Sequence, residues 1–185
     1  MAAKTEESDK KMWIRRGKLT FYGIIIAGIG FLIGLYIIAP MQAKSESYVP
    51  KAVKKMQPAV VEFTNPDGKK VLIPLKIADE DKERDQGLNK VGKEALYSTY
   101  LLYDQEDVST WSEDYDVSNI KATLSLAVIN GDGKVVSIKE ATVKDDEIET
   151  EKDHRWVLAM KKDIMKGYGI KVGTKLMTNT LPGAE

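Results

Sequence analysis

The chain has 185 residues, 28 Lys and Arg balanced by 28 Asp and Glu, a single histidine and no cysteine. Balanced charge offers no electrostatic footprint for nucleic acid, and the lack of cysteine excludes disulfides, thiolate metal sites and thiol nucleophiles. With His154 alone, a multi-histidine metal site is excluded and only one candidate remains for a hydroxyl–histidine relay.

Residues 1–18 form a polar tail whose cations, Lys10, Lys11, Arg15, Arg16 and Lys18, precede an uncharged apolar run over residues 19–39, LTFYGIIIAGIGFLIGLYIIA. A helix of that length spans roughly 31 Å, matching a bilayer core of about 30 Å, so the run reads as a transmembrane helix. The rival, a cleaved secretory signal, has an apolar region of about 7–15 residues, shorter than this one, although a candidate cleavage site stands near Met41-Gln42-Ala43. Lys44, Lys51, Lys54 and Lys55 follow the run at greater distance, and the resulting bias predicts a cytoplasmic N-terminus and an extracytoplasmic C-terminal part at the cell membrane. Gly23, Ala27, Gly30 and Gly34 recur at intervals of four, three and four, which places them on one helical face where a partner helix can approach closely; glycine is also simply common in membrane spans. Tyr22, Tyr36 and Trp13 suit the two interfaces.

Residues 40–58 read as a polar linker broken by Pro50 and Pro58, with Lys51, Lys54 and Lys55 able to lie against lipid headgroups or to be simply solvated. The folded domain is expected over residues 59–178, followed by a tail at 179–185. Residues 59–64 and 70–77 read as strands joined by the turn Asn65-Pro66-Asp67-Gly68. A helix begins at Asp79 as N-cap and stops at Gly87. A helical turn at 91–96 and a strand at 97–103 follow, and 104–116 reads as an acidic loop carrying Trp111. Residues 120–130 alternate into a core strand, and Gly131-Asp132-Gly133 turns into a partner at 134–143. Residues 144–153 read as a solvated charged loop, 156–160 as a strand, 163–166 as a helical turn and 172–177 as a closing strand. The pattern predicts an α+β domain with a mainly antiparallel, barrel-like sheet and one or two short helices.

The order of these motifs resembles the domain-of-unknown-function family 192. Ile77-Ala78-Asp79, Arg84-Asp85-Gln86-Gly87-Leu88 and Leu101-Leu102-Tyr103 are similar to its A-D-T, R-x-x-G-L-M and G-M-L-F. The stretch NIKATLSLAVIN from Asn119 resembles N-T-x-I-P-L-D-I-A-F-I-D, the Gly131 turn continues as D-G-x-V-V-x-I, and Trp156 to Gly173 follows Y-V-L-E-L…G-I-x-V-G-D. The resemblance implies a compact β-rich domain over roughly residues 60–178 and supplies no reaction. The family's central F-W-M-K-N-T motif is here Tyr115-Asp116-Val117-Ser118-Asn119-Ile120, of which only the Asn survives. Asn89 stands for the methionine, Ala122-Thr123-Leu124-Ser125 for I-P-L-D, and Ala159 for the glutamate of V-L-E-L.

Arg84 could bind a carboxylate or phosphate, but in an acidic helical turn it is better read as a structural ion pair. His154, between Asp153 and Arg155, reads as a surface histidine. Asp104, Glu106, Asp107, Glu113, Asp114 and Asp116 lack the order of a calcium loop and read as a solubilising or docking face. No catalytic, cofactor or metal site is assigned. The expectation is a non-catalytic single-pass accessory subunit of a larger membrane complex, of respiratory or monooxygenase type for example. Its partners would be the lipid bilayer and integral membrane protein subunits, reached through the span and the outer domain. The alternative is a tethered ligand-binding or enzymatic domain with a pocket near Arg84, Trp111 and Asn119.

Overall fold

The computed structural model describes residues 45–182. No helix among them is long and apolar enough to cross a membrane, and the run expected to do so, with Gly23, Ala27, Gly30 and Gly34, lies outside the described residues. From Glu46 onward the chain forms one compact unit.

Part of the stretch expected to be a linker is folded. Helix α1 (Lys51–Lys55) points Val53 inward, and Val53 and Met56 are fully buried. The preceding residues are pinned as well, since the Gly92 and Glu94 amides donate to the carbonyls of Tyr48 and Glu46. Strands β1 (Gln57–Thr64) and β2 (Lys70–Ala78) form the expected hairpin, paired without interruption from Gln57 opposite Ile77 to Thr64 opposite Lys70. Helix α2 (Asp81–Gln86) starts one residue later than expected. Its N-cap is Glu80, which makes no side-chain capping bond, and it stops as expected at Gly87, φ +47°. A 3-10 turn (Ala95–Tyr97) falls at the end of the helical turn expected over 91–96 and takes the first residue of the expected strand, and β3 runs over Leu101–Ser109, well into the expected acidic loop.

Two further short strands arise from carboxylate-rich sequence. β4 (Asp114–Asp116) and β7 (Glu147–Glu149) pair with each other in a two-stranded ribbon, so neither the 104–116 nor the 144–153 stretch is simply a loop. β5 (Leu124–Asn130) and β6 (Val135–Ala141) form the hairpin expected around Gly131-Asp132-Gly133. β8 (His154–Lys161) leads into α3 (Lys162–Tyr168), and the closing strand β9 is only Lys175–Leu176.

The main sheet has the order β6-β5-β8-β3-β2-β1-β9 and is antiparallel apart from the β2–β3 pair. It curls into a half-barrel whose two edges meet at one end. There the Val135 amide donates to the Thr174 carbonyl (2.8 Å), the Gly173 amide to Val135 (2.9 Å) and the Leu176 amide to Gly133 (2.7 Å). Gly133 is required at this seam. Its φ is +78°, and a Cβ would stand 2.6 Å from the Leu176 carbonyl oxygen. Buried Thr174 donates to Asn65 Oδ1 (3.1 Å), and Asn65 Nδ2 donates to the Tyr168 carbonyl (3.2 Å), tying the β1–β2 turn to the seam.

Two cores follow from strand alternation. Inside the curl lie Val61, Phe63, Ile73, Leu102, Ile129, Leu158 and Met160; outside it Leu101, Tyr103, Leu126, Val157 and Ala159 pack beneath α1, Leu88, Val91 and Ile120. Strands β5 and β8 are therefore buried on both faces, which explains their near-continuous apolar runs, and each fully buried Leu or Ile contributes about 1.5–3 kcal/mol. The outer layer matters because it positions a group of carboxylates, with Arg84 and Tyr115, around one cleft.

Candidate functional site

Beyond Asp104 the β3 strand departs from its register with β8, with Glu106 at φ +61°, and swings beside β4. The space between this segment and α2 is a cleft of about 420 Å³ lined by Asp81, Arg84, Asp85, Gln105 and Glu113 through Asp116.

Its floor is a hydrogen-bonded chain. Tyr115 is buried with its ring edge-on to Tyr103, centroids 4.9 Å apart. Gln105 Nε2 donates to Glu113 Oε2 (2.6 Å) and to the Tyr115 hydroxyl oxygen (2.8 Å). Behind them His154 is fully buried, a correction to its expected surface position. His154 Nδ1 lies 2.7 Å from the Glu151 carbonyl, which can only accept, so Nδ1 carries the proton and Nε2 is left to accept from the Tyr115 hydroxyl at 3.4 Å. Glu113 Oε2 is 3.9 Å from His154 Nε2, too far for a hydrogen bond. Thr150 fixes Glu113 from the other side, its amide and hydroxyl both donating to the Glu113 carbonyl.

Electrostatically the cleft is acidic, and its cation is already engaged. Arg84 Nη1 donates to the carbonyl oxygens of Asp79 and Asp104, the latter at 2.9 Å, and Nη2 to Asp81 Oδ1 at 2.5 Å. The guanidinium joins the start of α2 to β3 and holds α2 on the sheet. Burial pushes the Tyr115 phenol up, against the donation from Gln105, so it stays protonated at neutral pH and does not supply a base. Hydrogen bonds from Ser118 hold the Asp116 carboxyl below its usual range. Burial, with Asp79 nearby, raises Glu83. Among the described residues no group of three or more His, Asp or Glu side chains is placed to hold a metal ion.

The three residues expected to share a pocket are not brought together in one. Arg84 lines the cleft. Asn119 is exposed; its side chain donates to Ser118, and its amide donates to Asn89 Oδ1 (3.2 Å). Asn89, buried where the family pattern has methionine, also donates to the Asp116 carbonyl (3.1 Å), so the two asparagines brace the turn that follows β4. Trp111 lies outside the cleft, 74% exposed, with Lys152 Nζ 6.0 Å from its ring. The polar residues that do converge, Gln105, Glu113, Tyr115 and His154, did not emerge from the sequence as a group. Alternation along Trp156, Leu158 and Met160 does not find His154, because β8 slips its register between them: Ile129 stands opposite Trp156 and Asn130 opposite His154, so Arg155 is passed over and His154 turns toward Tyr115 instead.

A chain with this half-barrel and this motif order belongs to a recognised family. The model of domain of unknown function 192, described as an uncharacterized ACR, matches residues 62–178, and the protein is a member of that family. No curated protein sequence matches the chain. Among solved structures it is similar to a proposed transcription regulator from Sinorhizobium meliloti 1021, with 19% identity and a TM-score of 0.58 over 65% of this chain and 93% of that one. It is also similar to a protein of unknown function from Novosphingobium aromaticivorans DSM 12444, with 18% identity and a TM-score of 0.52 over 70% and 98% of the respective chains. At these identities the likeness establishes the fold alone.

Proposed function

We propose that this chain is a non-catalytic single-pass membrane protein, an accessory subunit of a larger membrane complex, whose half-barrel domain packs on the extracytoplasmic side. The observation that carries the reading is the engagement of the polar groups nearest the family's central motif: Arg84 holds backbone carbonyls, and Asn89 and Asn119 brace a turn. Arg84 and buried Asn89 are thereby committed to the fold, whereas the apolar run at 19–39 and its stripe of small residues supply a means of docking in the bilayer. Mild detergent extraction of native membranes tests it. The expected result is copurification with an integral membrane partner that is lost when Gly30 and Gly34 are both replaced by Leu, while recovery of a lone monomer contradicts the reading.

A second reading rests on the 420 Å³ cleft and its buried Tyr115–His154 floor. On it the domain takes a small cationic ligand between the α2 and β4 carboxylates. A rise in melting temperature with small amines that disappears in Glu113→Gln would favour this alternative.

A further inference from the structure

The outer protein layer covers the sheet from β5 to β3 and stops short of the β1–β2 hairpin. Val61 and Phe63 of β1 and Ile73, Leu75 and Ile77 of β2 turn into the barrel. The alternate residues Pro58, Val60, Leu72 and Pro74 face outward, with Val60 57% and Leu72 61% exposed. An apolar groove of about 370 Å³ runs between this strip and residues 98–100. The strip is continuous with α1, because Lys76 Nζ, on the groove's wall, donates to the carbonyls of Lys54 and Met56 at 3.1 Å each. Helix α1 turns Val53 to the core and leaves Lys51, Lys54 and Lys55 exposed in one row at i, i+3 and i+4. Half-exposed Tyr48 precedes them, and the strip's own carboxylate, Glu62, is paired with Lys70 at 2.9 Å.

This face also adjoins the point where the chain arrives. Residues 40–45 separate the apolar run from Glu46, and at full extension they reach at most about 21 Å. We propose that the β1–β2 face and α1 seat on the anionic lipid surface of the bilayer in which residues 19–39 are embedded, an inference that rests on the membrane-span reading above. Lysines attract anionic headgroups within a Debye length, an amphipathic tyrosine suits the headgroup level, and the aliphatic strip replaces interfacial water. Contacts too weak to recruit a free domain suffice here because the tether keeps the effective concentration high. The seating also orients the domain. β3 starts at Leu101 beside Lys76 and carries Glu106 and Asp107 beyond its irregularity after Asp104, and like charge keeps that acidic end off the lipid.

The protein has no cysteine, so a single introduced one can carry a fluorophore. Full-length Leu72→Cys and Thr110→Cys, each labelled with an environment-sensitive dye, are reconstituted in phosphatidylcholine vesicles with and without phosphatidylglycerol, with nitroxide lipids as quenchers. Insertion is scored separately by resistance to alkaline carbonate extraction. With the chain inserted, quenching at 72 should exceed that at 110 several-fold in the anionic vesicles, and the excess should collapse when Lys51, Lys54 and Lys55 are replaced by Glu. Equal quenching at the two positions in inserted protein overturns the seating and leaves the span reading intact. Failure to insert overturns both. Shielding of position 72 in native membranes but not in lipid alone also overturns it, and assigns the face to a protein partner.

Discussion

Arg84 is the residue whose chemistry most invites a ligand, and its surroundings use it otherwise. It reaches the carbonyls of Asp79 and Asp104 and the Asp81 carboxylate at once, which a planar guanidinium can do and a lysine ammonium cannot. Arg84→Ala and Arg84→Lys should both lower unfolding free energy, the former by about 1–3 kcal/mol, as measured by urea denaturation. A stability unchanged by Arg84→Ala would mean the clamp is idle. His154 is a stronger structural element than its charged neighbours suggest. His154→Ala removes a buried ring bonded at both nitrogens and leaves the Glu151 carbonyl and Tyr115 hydroxyl without it, so a loss of about 2–4 kcal/mol in the same assay is expected. Asp116 sets an acid limit. Its folded-state carboxyl lies below the ordinary value of 3.8 because Ser118 hydrogen-bonds the charged form, so its contribution is complete above that pH and is lost as pH falls through the lower folded value. In melting curves taken at successively lower pH, Asp116→Asn should therefore show a shallower acid decline than the parent chain, and superimposable declines would remove Asp116 from the account.

At the level of elements, sequence reading succeeded where apolar patterning and turn chemistry agreed. The β1–β2 and β5–β6 hairpins carry alternating or continuous apolar runs bracketed by Asn-Pro-Asp-Gly and Gly-Asp-Gly, so both strands and turns were legible. The ends of the sheet were not. β4 reads DYD and β7 EIE, each flanking one strand-former with carboxylates that are depleted in strands, and their register sets Asp114 opposite Glu149 and Asp116 opposite Glu147. Like charges facing across a ladder are unfavourable, so tertiary packing around Tyr115 and Ile148 holds this ribbon together against local preference. The buried position of His154 went unread for the same reason, since its partner Tyr115 comes from the strand that composition concealed. Helix α1 was hidden by its lysines, because only Val53 and Met56 mark its inward side. The seam between β6 and β9 offers the sharpest test at this scale. Gly133→Ala forces a Cβ toward the Leu176 carbonyl from a left-handed backbone position, and should speed amide exchange at Val135 and Leu176 while sparing β5 and β8.

For the whole molecule, family membership rests on the match over residues 62–178 and the half-barrel on the seven-stranded sheet, and the motif order made the family and a barrel-like sheet readable in the sequence. On the proposed reading, what the domain does depends on residues 19–39 and on the partner that would meet them. With Arg84 and Asn89 engaged inside the fold, the stripe of Gly23, Ala27, Gly30 and Gly34 on the proposed span becomes the most specific docking feature proposed for the chain. In a helix at about 100° per residue, as proposed for this run, Leu32 would fall opposite that stripe. Site-specific photocrosslinking in intact native membranes, with the crosslinker placed at Ala27 or at Leu32, is the most direct measurement of the central claim. A polypeptide adduct of one defined integral membrane partner from Ala27, and lipid adducts alone from Leu32, is the predicted result. Lipid adducts alone from both positions would contradict the claim that this chain is a subunit held by its span.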